Sequence, residues 1–108
     1  MVHTQFDCIV LGGGLIGLTA ALALSKLDLN IAIVERNPLE KLRNSSGDQR
    51  TSAISASGKV MLDTLGVWDL LKSNAEPILD IRVSEKNTKG FVHYSHVDAD
   101  NEPMGYII

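Results

Sequence analysis

Apolar positions along this chain fall into short runs broken by glycine and by charge. Phe6 to Leu11 is an apolar run rich in strand formers, and it stops at Gly12-Gly13-Gly14. From Leu15 the residues become helix formers (Leu15, Leu18, Ala20, Ala21, Leu22, Ala23, Leu24), with Lys26 near the end. Asp28-Leu29-Asn30 breaks that helix, and Asn30 is suited to the left-handed conformation often needed past a helix end. Ile31-Ala32-Ile33-Val34 is a second continuous apolar run, the pattern of a parallel strand covered on both faces. It ends in Glu35-Arg36-Asn37-Pro38. Residues 6–36 thus predict a βαβ unit, whose crossover is almost always right-handed.

Residues 37–76 read as a loop followed by helices. Lys41 to Thr51 is polar, contains Asn44-Ser45-Ser46-Gly47 and has no regular period. Ser55 or Ser57 is a candidate cap for a helix running through Val60, Met61 and Leu65. Gly66 stands where that helix should stop, with Val67 and Trp68 as the apolar contact folding back on it. Asp69 to Lys72 predicts one more turn. Residues 78–97 predict a β-hairpin, with strands Ile78–Ser84 and Phe91–Val97 around Lys86-Asn87-Thr88-Lys89-Gly90. Met104-Gly105-Tyr106-Ile107-Ile108 has no cap or closing polar residue after its two isoleucines, so the pattern reads as cut off there. The class expected is α/β.

Composition narrows the picture only a little. With 108 residues the chain holds one domain or part of one, and a chain this size buries roughly 65% of its unfolded surface. Charged residues make up 21% and apolar ones 44%, as in ordinary globular proteins. A net charge of −3 offers nothing broadly attractive to nucleic acid. Cys8 is the single cysteine, so no internal disulfide forms, and its apolar setting is that of a buried, inert thiol. The nearly uncharged stretch from Cys8 to Leu24 falls short of the ~20 apolar residues that span a bilayer, and glycines interrupt it. Met1 to Asp7 lacks the basic start of an export signal.

The chemistry concentrates at Gly12-Gly13-Gly14-Leu15-Ile16-Gly17, which fits G-x-G-x-x-G. The pattern alone is weak, but here it follows a strand, opens a helix, and has an acid, Glu35, at the end of the next strand. Gly12 allows the tight turn, Gly14 lets a diphosphate approach the backbone, and Gly17 lets the helix pack closely on the sheet. The first amides of the helix, at Leu15 and Ile16, would hold the phosphates at the positive end of the helix dipole. Glu35 would accept from the adenosine ribose hydroxyls and disfavour the 2′-phosphate of NADP, leaving FAD or NAD. Arg36 is placed to reach the adenine or a phosphate.

The segment after the βαβ unit separates these two cofactors. Asp48-Gln49-Arg50-Thr51-Ser52-Ala53-Ile54-Ser55, the helix ending Leu65-Gly66-Val67-Trp68, and Ile33-Val34-Glu35-Arg36 before them resemble the FAD-dependent aromatic-ring hydroxylases of the p-hydroxybenzoate hydroxylase type. Within that group the chain is most similar to the ring hydroxylases of ubiquinone biosynthesis, whose Leu-Gly-Tyr-Ile-Val stands here as Met104-Gly105-Tyr106-Ile107-Ile108. The resemblance is specific through Trp68 and looser from Ile78 to Pro103. It implies that residues 1–108 are the N-terminal part of a Rossmann-like FAD-binding fold, with the hairpin beginning the substrate-side strands. It further implies that Arg50 lies beside the flavin diphosphate, a place suited to a planar guanidinium, with Asp48 orienting it. The implied reaction is NADPH-driven transfer of one oxygen atom of O2 to an activated, prenylated phenol. Family members run to several hundred residues, so the isolated chain is expected to be inactive, and no catalytic residue is assigned. A cytoplasmic location is expected, with peripheral contact at the inner membrane left open by the lipid-tailed substrate. Oligomeric state is not legible.

Other constellations are set aside. His93 and His96 on one strand would face opposite ways, wrong for one metal ion, and Asp98 to Glu102 lacks the glycine of a calcium loop. Ser45, Ser46, Ser52, Ser55 and Ser57 have no histidine nearby and no nucleophile-elbow pattern, and Trp68 reads as a packing residue. Two rivals remain: an FAD-dependent oxidase of another class, and a nucleotide-binding module without catalysis.

Overall fold

The computed structural model describes residues 4–44 and 50–108, which divide into two compact units, Met1–Gln49 and Arg50–Ile108. The protein is mixed α/β.

In the first unit, strand β1 (Cys8–Leu11) leads into helix α1 (Leu15–Ser25) and back to strand β2 (Ile31–Val34). The strands are parallel, with Cys8 opposite Ile31 and Leu11 opposite Val34. The predicted βαβ unit is therefore formed. Asp7 fixes its base: its N–H donates to Asn30 O at 2.9 Å, and its carboxylate accepts from Asn30 N at 2.8 Å. Helix α1 is apolar nearly all round, and Ala21 is its buried residue. Two expectations change. Asp28, at φ +58°, takes the left-handed conformation in place of Asn30, whose amide and carbonyl are committed to Asp7. A short polar side chain tolerates that conformation. Within this unit the strands are also not covered on both faces: Cys8 and Val10 are half-buried while Ile9 and Leu11 are exposed. A single helix lies across the pair, and alternate side chains point away from it. Residues expected to be loop form a short helix, α2 (Leu39–Arg43), begun by Pro38, whose fixed φ suits a helix start.

The second unit is built on a strand that the sequence pattern did not reveal. Strand β7 (Gly105–Ile107) lies between β3 (Ala53–Ser55) and β4 (Glu76–Ile78), antiparallel to both. Ser52 and Ile108 exchange hydrogen bonds at 2.8 and 3.0 Å, extending the β3–β7 ladder. Pro77 sits on β4, an edge of this sheet, where a missing N–H costs no pairing.

Helix α3 (Ala56–Thr64) follows β3 without a loop, because Ser55 is both strand end and cap: its Oγ accepts from Gly58 N at 3.0 Å. The helix ends as expected at Gly66, with φ +77°. Val67 N donates to Leu62 O and Gly66 N to Asp63 O, both at 2.9 Å, the paired bonds of a Schellman turn. That turn delivers helix α4 (Trp68–Leu71), where Trp68 is buried and meets the Tyr106 ring edge-on, with centroids 4.8 Å apart. With Leu62 it forms the core of this unit.

The predicted hairpin is present as β5 (Asp80–Ser84) and β6 (Phe91–Ser95). The expected single strand from Ile78 is broken at Leu79, where the chain changes partners. Ile78 O accepts from Met104 N, next to β7, and Leu79 O accepts from His96 N, next to β6. Past Ser95 the second strand tightens into a 3₁₀ turn, His96–Asp98, instead of continuing to Val97.

Candidate dinucleotide-binding site

The site forms where β1 gives way to α1. Gly12 has φ +101°, a conformation open to glycine and strained for other residues. Its N–H donates to Val34 O at 2.8 Å, pinning the turn to the end of β2. Gly14 follows in extended conformation, and its carbonyl accepts the first bond of the helix, from Leu18 N at 2.9 Å. No side chain caps this end, and no acid lies in its first turn. The leading amides are left for an outside acceptor, at the positive end of the helix dipole.

A methyl group added at Gly14 would meet nothing within 4 Å, so the backbone there is open to a ligand. Leu15 and Ile16 are 65% and 87% exposed, and Ile16 comes no nearer than 4 Å to that point. Gly17 is the opposite case. A methyl there would run into the Gly12 carbonyl oxygen and approach Val10 Cγ1 to 3.5 Å. The first helical turn can pass against the glycine turn only without a side chain at this position.

Glu35 reaches from the end of β2 to the same turn. Its Oε2 accepts from Gly13 N at 2.7 Å, and its Oε1 accepts from Asn37 N at 2.8 Å and Asn37 Nδ2 at 3.0 Å. These donors, the Asn37 amide foremost and Gly13 next, hold its carboxyl below the ordinary glutamate range, against a smaller opposing effect of burial. At neutral pH the group is an anion beside the glycine turn, a setting that favours hydroxyl donors over a phosphate ester.

Thus Gly12, Gly13, Gly14, Leu15, Ile16, Gly17 and Glu35 are brought together in the first unit. Arg36 is exposed just after Glu35. Arg50 is exposed at the start of the second unit, and Asp48, expected to orient it, lies outside the described residues. The sequence reading missed Asn37. The signal was available: an amide side chain two residues past the acid, held ahead of a proline that restricts its backbone.

No protein-family model matches the chain. Over 102 residues it is 39% identical to the ubiquinone hydroxylase UbiL of Rhodospirillum rubrum, and over 107 residues 31% identical to the ubiquinone hydroxylase UbiM of Neisseria meningitidis. Each match takes in 94% of this chain. A third, to the FAD-dependent monooxygenase cle3 of Aspergillus versicolor, is 34% identical over 94 residues and covers 86% of the chain. The chain is a relative of these hydroxylases and monooxygenases. It spans about a quarter of their length or less: 24%, 23% and 18% respectively. The matches with UbiL and UbiM take in nearly all of the chain, so the likeness is not confined to the glycine turn, a feature many unrelated nucleotide-binding proteins share.

Elsewhere, His93 is paired with Asp80 (Nε2 to Oδ1, 2.8 Å) and His96 Nδ1 lies 3.2 Å from Leu79 O. Both histidines are engaged in holding the hairpin and its exit turn.

Proposed function

We propose that residues 1–108 form the FAD-anchoring, Rossmann-like part of an NAD(P)H-dependent flavoprotein monooxygenase that hydroxylates an aromatic ring in ubiquinone biosynthesis. The observation that carries this reading is the glycine turn: open at Gly14, closed against the helix at Gly17, and flanked by an ionised Glu35. The names of the relatives supply the reaction class.

In this reading the amides of Leu15 and Ile16 hold the diphosphate, whose approach the bare Gly12 and Gly14 backbone permits, while Gly13 ties the turn to Glu35. Glu35 accepts from the adenosine ribose, Arg36 reaches the adenine or a phosphate, and Arg50 pairs diphosphate oxygens. When bound, FAD supplies the redox chemistry of oxygen insertion, with NADPH as reductant and a prenylated phenol as the ring. The residues of this chain bind and orient; none is assigned a part in bond making. Among the described residues no helix is long and apolar enough to cross a membrane. Access to a lipid-tailed phenol is proposed to come from peripheral contact with the inner membrane on its cytoplasmic side.

Isothermal titration of the 108-residue chain with ADP, FAD and 2′,5′-ADP tests the reading. ADP and FAD should bind with similar, modest affinity, because the contacts named here reach only the adenosine diphosphate half, and 2′,5′-ADP should bind more weakly. Absence of ADP binding, or a preference for the 2′-phosphate, would overturn it.

A further inference from the structure

Glu35 has little acceptor capacity to spare. A carboxylate offers about four lone-pair positions, and three are taken within the first unit: one on Oε2 by Gly13 N, and two on Oε1 by the backbone and side-chain nitrogens of Asn37. Two donors from one residue on one oxygen fix the rotation of the carboxylate. Asn37 presents them from a restricted backbone, since Pro38 follows it and Pro38 O is itself held by Lys41 N at 3.0 Å. With Oε1 taken by Asn37, Oε2 is the oxygen turned to the glycine turn, where it accepts from Gly13 N.

We infer that Asn37 is a positioning residue of the nucleotide site: its side-chain amide holds Glu35 so that Oε2 binds the Gly13 amide and offers its remaining lone pair to a single ligand hydroxyl. The inference rests on the proposed nucleotide site and deepens it. It makes the acid a recogniser of one ribose hydroxyl, where a carboxylate free at both oxygens could take two. Those hydrogen bonds also lower the carboxyl's pKa, with a smaller contribution from the Arg36 backbone amide, and no charged side chain contributes. Asn37 also belongs to the glycine turn's support, because slackening Glu35 slackens its grip on Gly13.

The backbone N–H of Asn37 survives substitution and the side-chain donor does not, so the two are separable. The test compares the wild-type chain with Asn37→Ala and with Asn37→Ser, which keeps a donor. Nuclear magnetic resonance follows the Glu35 carboxyl carbon through pH and the Gly13 amide proton. Calorimetry uses ADP, 2′-deoxy-ADP and 3′-deoxy-ADP as probes. In the wild type one deoxy probe, not both, should lose affinity, roughly tenfold for one bond to a charged acceptor. Asn37→Ala should move the Glu35 titration upward, weaken the Gly13 amide's hydrogen-bond signature, and lower ADP affinity about fivefold. Asn37→Ser should restore part of each. An unmoved Glu35 titration and Gly13 amide in Asn37→Ala would overturn the positioning role, and equal losses with both deoxy probes would overturn the single-hydroxyl reading. If the wild type binds no ADP, the nucleotide reading fails, and the Glu35 and Gly13 signals still decide whether Asn37 positions the acid.

Discussion

Alanine at Gly17 and at Gly14 should fail in opposite ways, although both glycines belong to one motif. By helix propensity alone, Gly17→Ala should gain up to about 1 kcal/mol. The added methyl, however, meets the Gly12 carbonyl oxygen. That carbonyl cannot turn aside cheaply, because Gly12 is held at φ +101° with its N–H on Val34 O. Overpacking costs about 1–3 kcal/mol, and a methyl driven onto fixed backbone belongs in the upper part of that range, about 2–3 kcal/mol, so the net expectation is a loss of about 1–2 kcal/mol from the first unit. At Gly14 the backbone is in an ordinary extended region and a methyl meets nothing. The gain from a stiffer unfolded chain, up to about 1 kcal/mol, is offset by alanine being a poorer first-turn cap than glycine. Stability should stay within about 0.5 kcal/mol, yet the methyl occupies the space where a diphosphate would come, and ADP affinity should fall at least roughly tenfold, or about 1.4 kcal/mol. Amide exchange at Cys8–Leu11 and Ile31–Val34 measures the first quantity for this unit alone, and calorimetry with ADP the second. Equal stability in Gly17→Ala, or undiminished ADP binding in Gly14→Ala, would refute the assignment of packing to one glycine and ligand approach to the other.

Three further outcomes are expected. Trp68→Ala should cost the second unit about 3–5 kcal/mol, since the ring is buried and stacked edge-on against Tyr106 on the central strand; exchange rates at Gly105–Ile107 would register it. Ser55→Ala should cost about 1 kcal/mol by freeing the Gly58 amide from its cap, and Ser55→Asp should recover most of it in the same measurement. Glu35 is more acidic folded than its ordinary 4.5, so its hydrogen bonds contribute stability above that pH, and the contribution disappears as pH falls through the lower folded value. Exchange protection at β1 and β2 should weaken as pH drops below 4.5, and Glu35→Gln should flatten that dependence.

The sequence by itself determined the local devices of this protein. A β-rich run, a glycine turn, a helix and an acid at the second strand's end predicted the βαβ unit and the turn where its candidate site residues meet. Ser55 and Gly66 announced both ends of the third helix. These features are legible because capping, turn conformation and apolar period depend on residues a few positions apart. Tertiary structure alone decided the rest. Nothing in Met104–Ile108 says that its middle becomes a central strand, because Ala53 and Glu76 must first arrive on either side of Ile107. Nor does a strand pattern from Ile78 reveal that the chain changes partners at Leu79. Glu35 was legible as an acid at the right place, but its grip on Gly13, and the hold of Asn37 upon it, came only from the fold. Backbone donors join the pairing inventory once distant segments meet, and a one-dimensional pattern carries no record of where their lone pairs are taken.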